Sequence, residues 1–154
     1  MKLQQGGLAM FKYAAMVGVL MLVMAAGPVQ AFFSFFSGGY QYISAEELNK
    51  RLLAGDEMVL LDICPADEFA EGHIPGSIET NAYPTQNEAE RARLNKGLTA
   101  LQAGSEDIII ICPGGGGGAR RTVDYYESRG IDKKRMLILE DGLRKWPYEK
   151  VPRS

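Results

Sequence analysis

Short apolar runs, separated by stretches in which apolar residues recur every three or four positions, dominate the chain from residue 40 onward. Four of the short runs are typical of strands: YQYIS (40–44), MVLLDIC (58–64), DIIIIC (107–112) and MLILE (136–140). The two middle runs are almost wholly apolar, as in strands that are buried on both faces of a sheet. They therefore predict the centre of a covered sheet.

Helical patterns lie between these runs. Ser44, followed by Glu47, is a capping-box signal for a helix that Gly55 ends. Leucines at helical spacing predict one helix over 87–104, and the residues after the glycine run predict another over 120–130. Shorter helical segments are predicted before the turn GHIPG and at the C terminus.

The resulting order, β-α-β-turn-α-β-α-β-α, predicts one α/β domain over 40–154 with a mainly parallel sheet and helices on both faces. Ligands of such sheets bind at the carboxyl ends of the strands. Cys64 and Cys112 each end a predicted strand, so we expect a site at this edge.

The first residues have the pattern of a secretory signal. An apolar run over 13–27 follows two lysines, and small residues stand at Val29 and Ala31, where a signal peptidase reads. The run is shorter than the roughly 20 apolar residues of a spanning helix. We expect a signal peptide over 1–31, a linker over 32–39, and a periplasmic or secreted domain. The alternative is a membrane anchor through the same apolar run.

Composition limits the partners and cofactors. A net charge of −2 over 154 residues gives no reason to expect a nucleic-acid partner. One histidine and two cysteines are too few for a closed zinc site, so we expect neither a metal nor a cofactor. A membrane partner is expected only if the N-terminal segment is not cleaved, and nothing indicates an oligomeric state. Export would place the cysteines where disulfides are permitted.

The stretch CPGGGGGARR contains the strongest candidate chemistry. Glycines allow successive backbone N–H groups to point inward, and the following helix adds the positive end of its dipole. A thiolate is the nucleophilic form of cysteine, and such a cradle would stabilise it at Cys112. The predicted anion-binding loop consists of Pro113, Gly114, Gly115, Gly116, Gly117, Gly118, Ala119 and Arg120, with Arg121 as further positive charge.

The same residues permit other interpretations. A phosphate-binding P-loop requires a lysine that is absent here. Gly114, Gly116 and Ala119 satisfy the dinucleotide pattern GxGxxA, although a run of glycines matches it almost by default. The remaining alternative is a glycine-rich turn beside a buried, inert cysteine.

Four pieces of the sequence resemble the rhodanese superfamily, in the correct order. They are YISAEELNKRLLAGDEMVLLDIC, FAEGHIPGSIE, the IIIIC strand with its loop and helix, and LILEDGLRKW, which resembles the family's "L-x-GG-xxx-W". Together they cover roughly residues 40–152. The resemblance implies a rhodanese-like fold with a five-stranded, mainly parallel sheet.

The resemblance also implies a sulfurtransferase without a cofactor. Cys112 would take a sulfane sulfur from a small donor such as thiosulfate and hold it as a persulfide. It would then pass the sulfur to cyanide or a thiol.

Two features depart from the family's loop. Counting back from Gly130 makes this loop one residue longer than usual, and Gly117 stands where an arginine is common. The family's phosphatase relatives require Cys-x5-Arg, but Gly118 occupies that arginine position, which argues against phosphate or arsenate chemistry.

A third departure is Cys64, which stands where the family commonly has arginine. Family topology places its strand beside that of Cys112, about 4.8 Å away, which is within disulfide range. We therefore hypothesise a reversible Cys64/Cys112 thiol pair, with a redox or non-catalytic binding module as the alternative function. The alternative is that Cys64 is only a small, buried apolar residue of the core. Asp62 is a further supporting position, expected to accept backbone hydrogen bonds.

Overall fold

The computed structural model describes residues 39–153, so the predicted signal peptide and nearly all of the predicted linker lie outside the described residues. Five parallel strands form one sheet in the order β1-β5-β4-β2-β3. They are β1 (Gln41–Ile43), β2 (Met58–Asp62), β3 (Ile78–Glu79), β4 (Asp107–Ile111) and β5 (Met136–Leu139). The predicted five-stranded parallel α/β fold is confirmed, and β4 lies at its centre.

The helices are α1 (Ala45–Ala54), α2 (Ala66–Glu71), α3 (Glu88–Arg93), α4 (Asn95–Ala103) and α5 (Gly117–Glu127). Two 3-10 turns, Lys133–Arg135 and Leu143–Lys145, flank β5. The Ser44 side chain accepts a hydrogen bond from the Glu47 amide, and Gly55 ends α1 with a φ of 75°, as predicted. None of the helices within residues 39–153 is long and apolar enough to cross a membrane.

The single helix predicted over 87–104 is wrong, because the chain breaks at Leu94 into α3 and α4. The Leu94 carbonyl accepts hydrogen bonds from the Gly97 amide and from the buried Tyr126 hydroxyl, at 3.2 Å and 2.8 Å. These bonds close the chain into a tighter turn at that point. The sequence pattern also misses β3, which has only two residues, too few to show a period.

Apolar residues fill both faces of the sheet. One core cluster joins Ile108 and Ile110 of β4 to Val123 of α5. The other joins Ile109 and Ile111 of β4 to side chains outside the sheet that include Leu48 of α1 and Trp146. Because successive side chains of a strand point to opposite faces, the two clusters lie on opposite sides of the sheet. This packing fixes the carboxyl end of β4, where Cys112 follows.

Candidate active site at Cys112

A short irregular segment, Cys112 to Gly116, joins central strand β4 to helix α5. The sequence predicts a helix start at residue 120, but α5 begins at Gly117, so the loop is shorter than expected. The first turn of the helix contains four residues that were predicted as loop residues: Gly117, Gly118, Ala119 and Arg120. Ala119 is fully buried in the core. The loop therefore offers backbone groups close to Cys112 and almost no side chains.

One amide of this loop contacts the sulfur. The Gly115 N–H donates to Cys112 Sγ at 3.1 Å, and Gly115 has a φ of +65°, which glycine adopts without strain. The Cys112 residue is only 1% exposed. The sulfur thus lies at the base of the loop with a hydrogen-bond donor aimed at it.

Further amides stand unused beside this contact. Gly116, the N-cap of α5, offers no side chain to cap the helix. Within residues 39–153, the amides of Gly116, Gly117 and Gly118 have no hydrogen-bond acceptor. These are the donors that a helix leaves free at its N terminus, and they carry the positive end of the dipole. They follow directly after Gly115, whose amide contacts Sγ.

The turn after β5 holds the loop from the other side. The Leu143 amide donates to the Cys112 carbonyl at 2.8 Å, and the Arg144 amide donates to the Pro113 carbonyl at 3.2 Å. Gly142 has a φ of +69°, and a Cβ there would clash with the Cys112 carbonyl oxygen and the Gly114 amide nitrogen. The glycine of LILEDGLRKW therefore permits backbone-to-backbone packing. The motif predicts the fold from sequence, but its contact with the loop is visible only in the structure.

The opposite wall is formed by residues 81–85, which the pattern shows only as a loop. The Tyr83 amide donates to the Ile63 carbonyl at 2.8 Å, beyond the end of β2. The Tyr83 side chain, 38% exposed, packs so closely on Gly118 that a Cβ there would lie 2.9 Å from the ring. Thr85 and Thr122 join their hydroxyls at 3.2 Å. An aromatic ring is thus held against the first turn of α5.

The two arginines after the glycines take different positions. Arg120 is exposed. Burial and the hydrogen bond to Asp124 raise the pKa of the Tyr40 hydroxyl, and the charge of Arg120 lowers it in part. Arg121 instead donates from Nε and Nη2 to the Pro84 carbonyl, at 3.1 Å and 2.7 Å.

Asp62 and Cys64 form a buried pair at the end of β2. Asp62 Oδ1 accepts the Cys64 amide at 2.8 Å, and Asp62 Oδ2 has no partner among the described residues. Burial raises the pKa of the Asp62 carboxyl. Burial, followed by the charge of Asp62, raises the pKa of the Cys64 thiol. Cys64 is therefore held as a neutral thiol, and Asp62 accepts a backbone hydrogen bond.

The thiol-pair hypothesis for Cys64 and Cys112 is not supported by this geometry. Strands β2 and β4 are neighbours as expected, but the register pairs Asp62 with Ile111. Cys64 packs in the cluster of Ile109 and Ile111, whereas Cys112 packs in the cluster of Ile108 and Ile110 on the opposite face. Both thiols are free. Strand spacing alone permits a disulfide here, but side chains alternate between the two faces of a sheet, and this alternation separates the two thiols.

A metal site is not formed by the described residues, because no group of three or more His, Cys, Asp or Glu side chains converges among them. The single histidine, His73, stacks on Phe69 with ring centroids 3.8 Å apart, and its Nδ1 lies 3.0 Å from the Phe69 carbonyl oxygen.

Comparison with known proteins agrees with the fold. The family model of the rhodanese-like domain matches residues 44–149. A rhodanese-like domain protein from Staphylococcus aureus is 25% identical, with a TM-score of 0.53, covering 74% of this chain and 99% of its own. A thiosulfate sulfurtransferase from Pseudomonas aeruginosa is 20% identical, with a TM-score of 0.56, covering 73% of this chain and 19% of its own.

An As-Sb reductase from Leishmania major shares the fold as well, at 20% identity and a TM-score of 0.55, covering 70% of this chain and 76% of its own. No curated protein matches the chain.

Proposed function

Because the chain belongs to the rhodanese-like domain family, we propose that it is a sulfurtransferase in which Cys112 carries a sulfane sulfur atom as a persulfide. One observation carries the proposal: the Gly115 amide donates to Cys112 Sγ, and the next three amides, at the start of α5, have no acceptor among the described residues. A structural cysteine in an apolar core needs no such donors. A sulfur that becomes anionic does.

The proposed reaction has two steps. The Cys112 thiolate attacks the outer sulfur of thiosulfate, the S–S bond of thiosulfate breaks, and sulfite leaves with the bonding electron pair. The product is a Cys112 persulfide anion. Cyanide or a thiolate then attacks the outer sulfur, and thiocyanate or a new persulfide leaves while Cys112 returns to the thiolate. The covalent intermediate divides one transfer into two easier displacements.

The loop backbone supports both steps. Negative charge moves from Sγ to the outer sulfur during loading, and the free amides of Gly116, Gly117 and Gly118 stand at the positive end of α5. Fixed donors stabilise charge without reorganising, and such preorganisation is usually the largest contribution to catalysis. The loop is held in this form by the turn at Gly142, whose following amides, those of Leu143 and Arg144, donate to the loop carbonyls. We call this turn the Gly142 clamp.

Export is a further part of the proposal and rests on the sequence of residues 1–31 alone. A lysine-containing start, a short apolar run and small residues at Val29 and Ala31 favour a periplasmic or secreted enzyme. Expression of the full chain, followed by cell fractionation and N-terminal sequencing, tests this. A chain that stays in the cytoplasm with its leader intact would rule export out.

The test of the sulfurtransferase is a thiosulfate:cyanide assay on the purified protein. We expect thiocyanate from the wild type and from Cys64→Ser, and none from Cys112→Ser. Intact mass after thiosulfate treatment should rise by one sulfur atom only when Cys112 is present. Turnover that survives Cys112→Ser would eliminate the proposed nucleophile.

A second function, a non-catalytic module that binds an anion or a partner, is favoured by the 1% exposure of Cys112. A buried sulfur suits recognition by the loop surface better than attack on a donor. The same mass measurement separates the two functions, because a binding module gains no sulfur from thiosulfate under any donor concentration.

A further inference from the structure

Arg121 reaches back along helix α5 to the edge of the loop. A Cβ on Gly117 would lie 3.0 Å from Arg121 Nη1 and 3.7 Å from Cζ, so the guanidinium occupies the space that a side chain at 117 would fill. Residues four apart share a helix face, and helical side chains lean toward the N terminus. The guanidinium therefore lies beside the first turn, where the amides of Gly117 and Gly118 are free.

A carbonyl group fixes this guanidinium in place. Nε and Nη2 both donate to the Pro84 carbonyl, at 3.1 Å and 2.7 Å. Pro84 follows Tyr83, whose amide is tied to the Ile63 carbonyl, so the anchor belongs to the sheet edge. Within residues 39–153, Nη1 has no acceptor. A rigid guanidinium with unused donors is prepared to bind an anion at little entropic cost.

Another guanidinium near the loop is already compensated. The Arg144 amide donates to the Pro113 carbonyl, but the Arg144 side chain donates to both carboxylate oxygens of Glu68, at 2.5 Å and 3.2 Å. Arg121 has no carboxylate partner within the described residues, only a neutral carbonyl. Its full positive charge therefore remains available at the start of α5.

Accepting the sulfurtransferase function, we infer that Arg121 recognises the oxyanion end of a donor such as thiosulfate. Nη1 binds the oxygens of the sulfonate-like group while Cys112 attacks the outer sulfur. As the S–S bond breaks, the electron pair and the negative charge pass to the departing sulfite, beside the guanidinium. Tyr83, packed on Gly118, forms the adjacent wall.

The test compares two donors by following Cys112 loading with intact-mass kinetics. Thiosulfate has an oxyanion end, whereas cysteamine persulfide has none and delivers its outer sulfur with release of cysteamine. Losing a charge-assisted hydrogen bond lowers efficiency by about tenfold or more. We expect Arg121→Gln to lose this much with thiosulfate and to stay within about twofold of wild type with cysteamine persulfide.

Two further variants complete the design. Arg121→Lys keeps the positive charge but lacks the planar set of N–H donors of a guanidinium. We expect it to retain part of the rate of loading from thiosulfate. Arg129→Gln removes the same charge from a position where the guanidinium lies over the Tyr125 ring, 4.8 Å from its centroid, and we expect it to match wild type with both donors.

The outcomes separate the inference from its premise. Unchanged thiosulfate loading in Arg121→Gln, or an equal loss with both donors, overturns the recognition role and leaves the sulfurtransferase intact. A wild-type protein that neither donor loads overturns the sulfurtransferase itself.

Discussion

Replacing Gly142 by alanine should damage both the fold and the loop that contains Cys112. Gly142 has φ 69° and ψ −171°, a region essentially reserved for glycine, and another residue there costs about 1–3 kcal/mol. The new Cβ would also collide with backbone atoms of Cys112 and Gly114, which cannot rotate away. Overpacking of this kind costs about 1–3 kcal/mol. Together we expect the free energy of unfolding to fall by about 2–6 kcal/mol.

A matched control isolates the contact with the loop. Gly55 also has a positive φ, 75°, but a Cβ added there would meet nothing within 4 Å. Gly55→Ala should therefore lose only the backbone cost, about 1–2 kcal/mol.

Urea unfolding followed by the fluorescence of Trp146, the only tryptophan, measures both variants. Thiosulfate loading of Cys112 should fall by at least about tenfold in Gly142→Ala, because small displacements of reacting groups are costly, and should be unchanged in Gly55→Ala. Equal destabilisation of the two variants, with normal loading of Cys112 in both, would refute the claim that packing at Gly142 holds the loop in place.

Three further predictions concern other residues. Asp141 has φ 59°, so Asp141→Val should lower the free energy of unfolding by about 1–2 kcal/mol while Asp141→Gly should not; equal urea midpoints for the two would contradict the strain. Because burial raises the pKa of the Cys64 thiol, iodoacetamide at pH 8 should label no thiol in native Cys112→Ser, and rapid labelling would show that Cys64 is accessible. Burial also raises the pKa of Asp62, so the folded state binds its proton more tightly than the unfolded state. The stability from this proton is complete below the ordinary aspartate pKa of about 4 and is lost as pH rises through the raised value. Asp62→Asn should remove that slope from urea midpoints measured upward from pH 4, and an unchanged slope would assign it to another group.

The sheet was predictable because its central strands are almost wholly apolar. Runs such as DIIIIC have few alternatives to a buried strand, and the order of elements then determines parallel pairing. Strand β3 could not be found from the pattern, because two residues are too few to show a period and β2 is the strand with which they pair. At the break, the Leu94 carbonyl accepts a hydrogen bond from the hydroxyl of Tyr126, which is remote in sequence.

For the site, the cysteine and its glycine loop were visible in the sequence, and their surroundings were not. The clamp at Gly142 and the wall at Tyr83 come from segments about 30 residues away on either side of Cys112. The relation of Arg121 to Pro84 likewise depends on tertiary packing. Side chains alternate between the two faces of a sheet, and with the register of β2 and β4 this alternation places Cys64 and Cys112 on opposite faces. Neglecting the alternation produced the mistaken thiol pair.

The separation of the two thiols by the sheet has a consequence for the lifetime of any sulfur stored on Cys112. An enzyme with a neighbouring thiol can discharge its persulfide internally, forming a disulfide and releasing sulfide. Here the second thiol faces the opposite core. A sulfur atom loaded on Cys112 would therefore stay there until an external acceptor binds. The rate of its transfer would depend on the concentration of that acceptor.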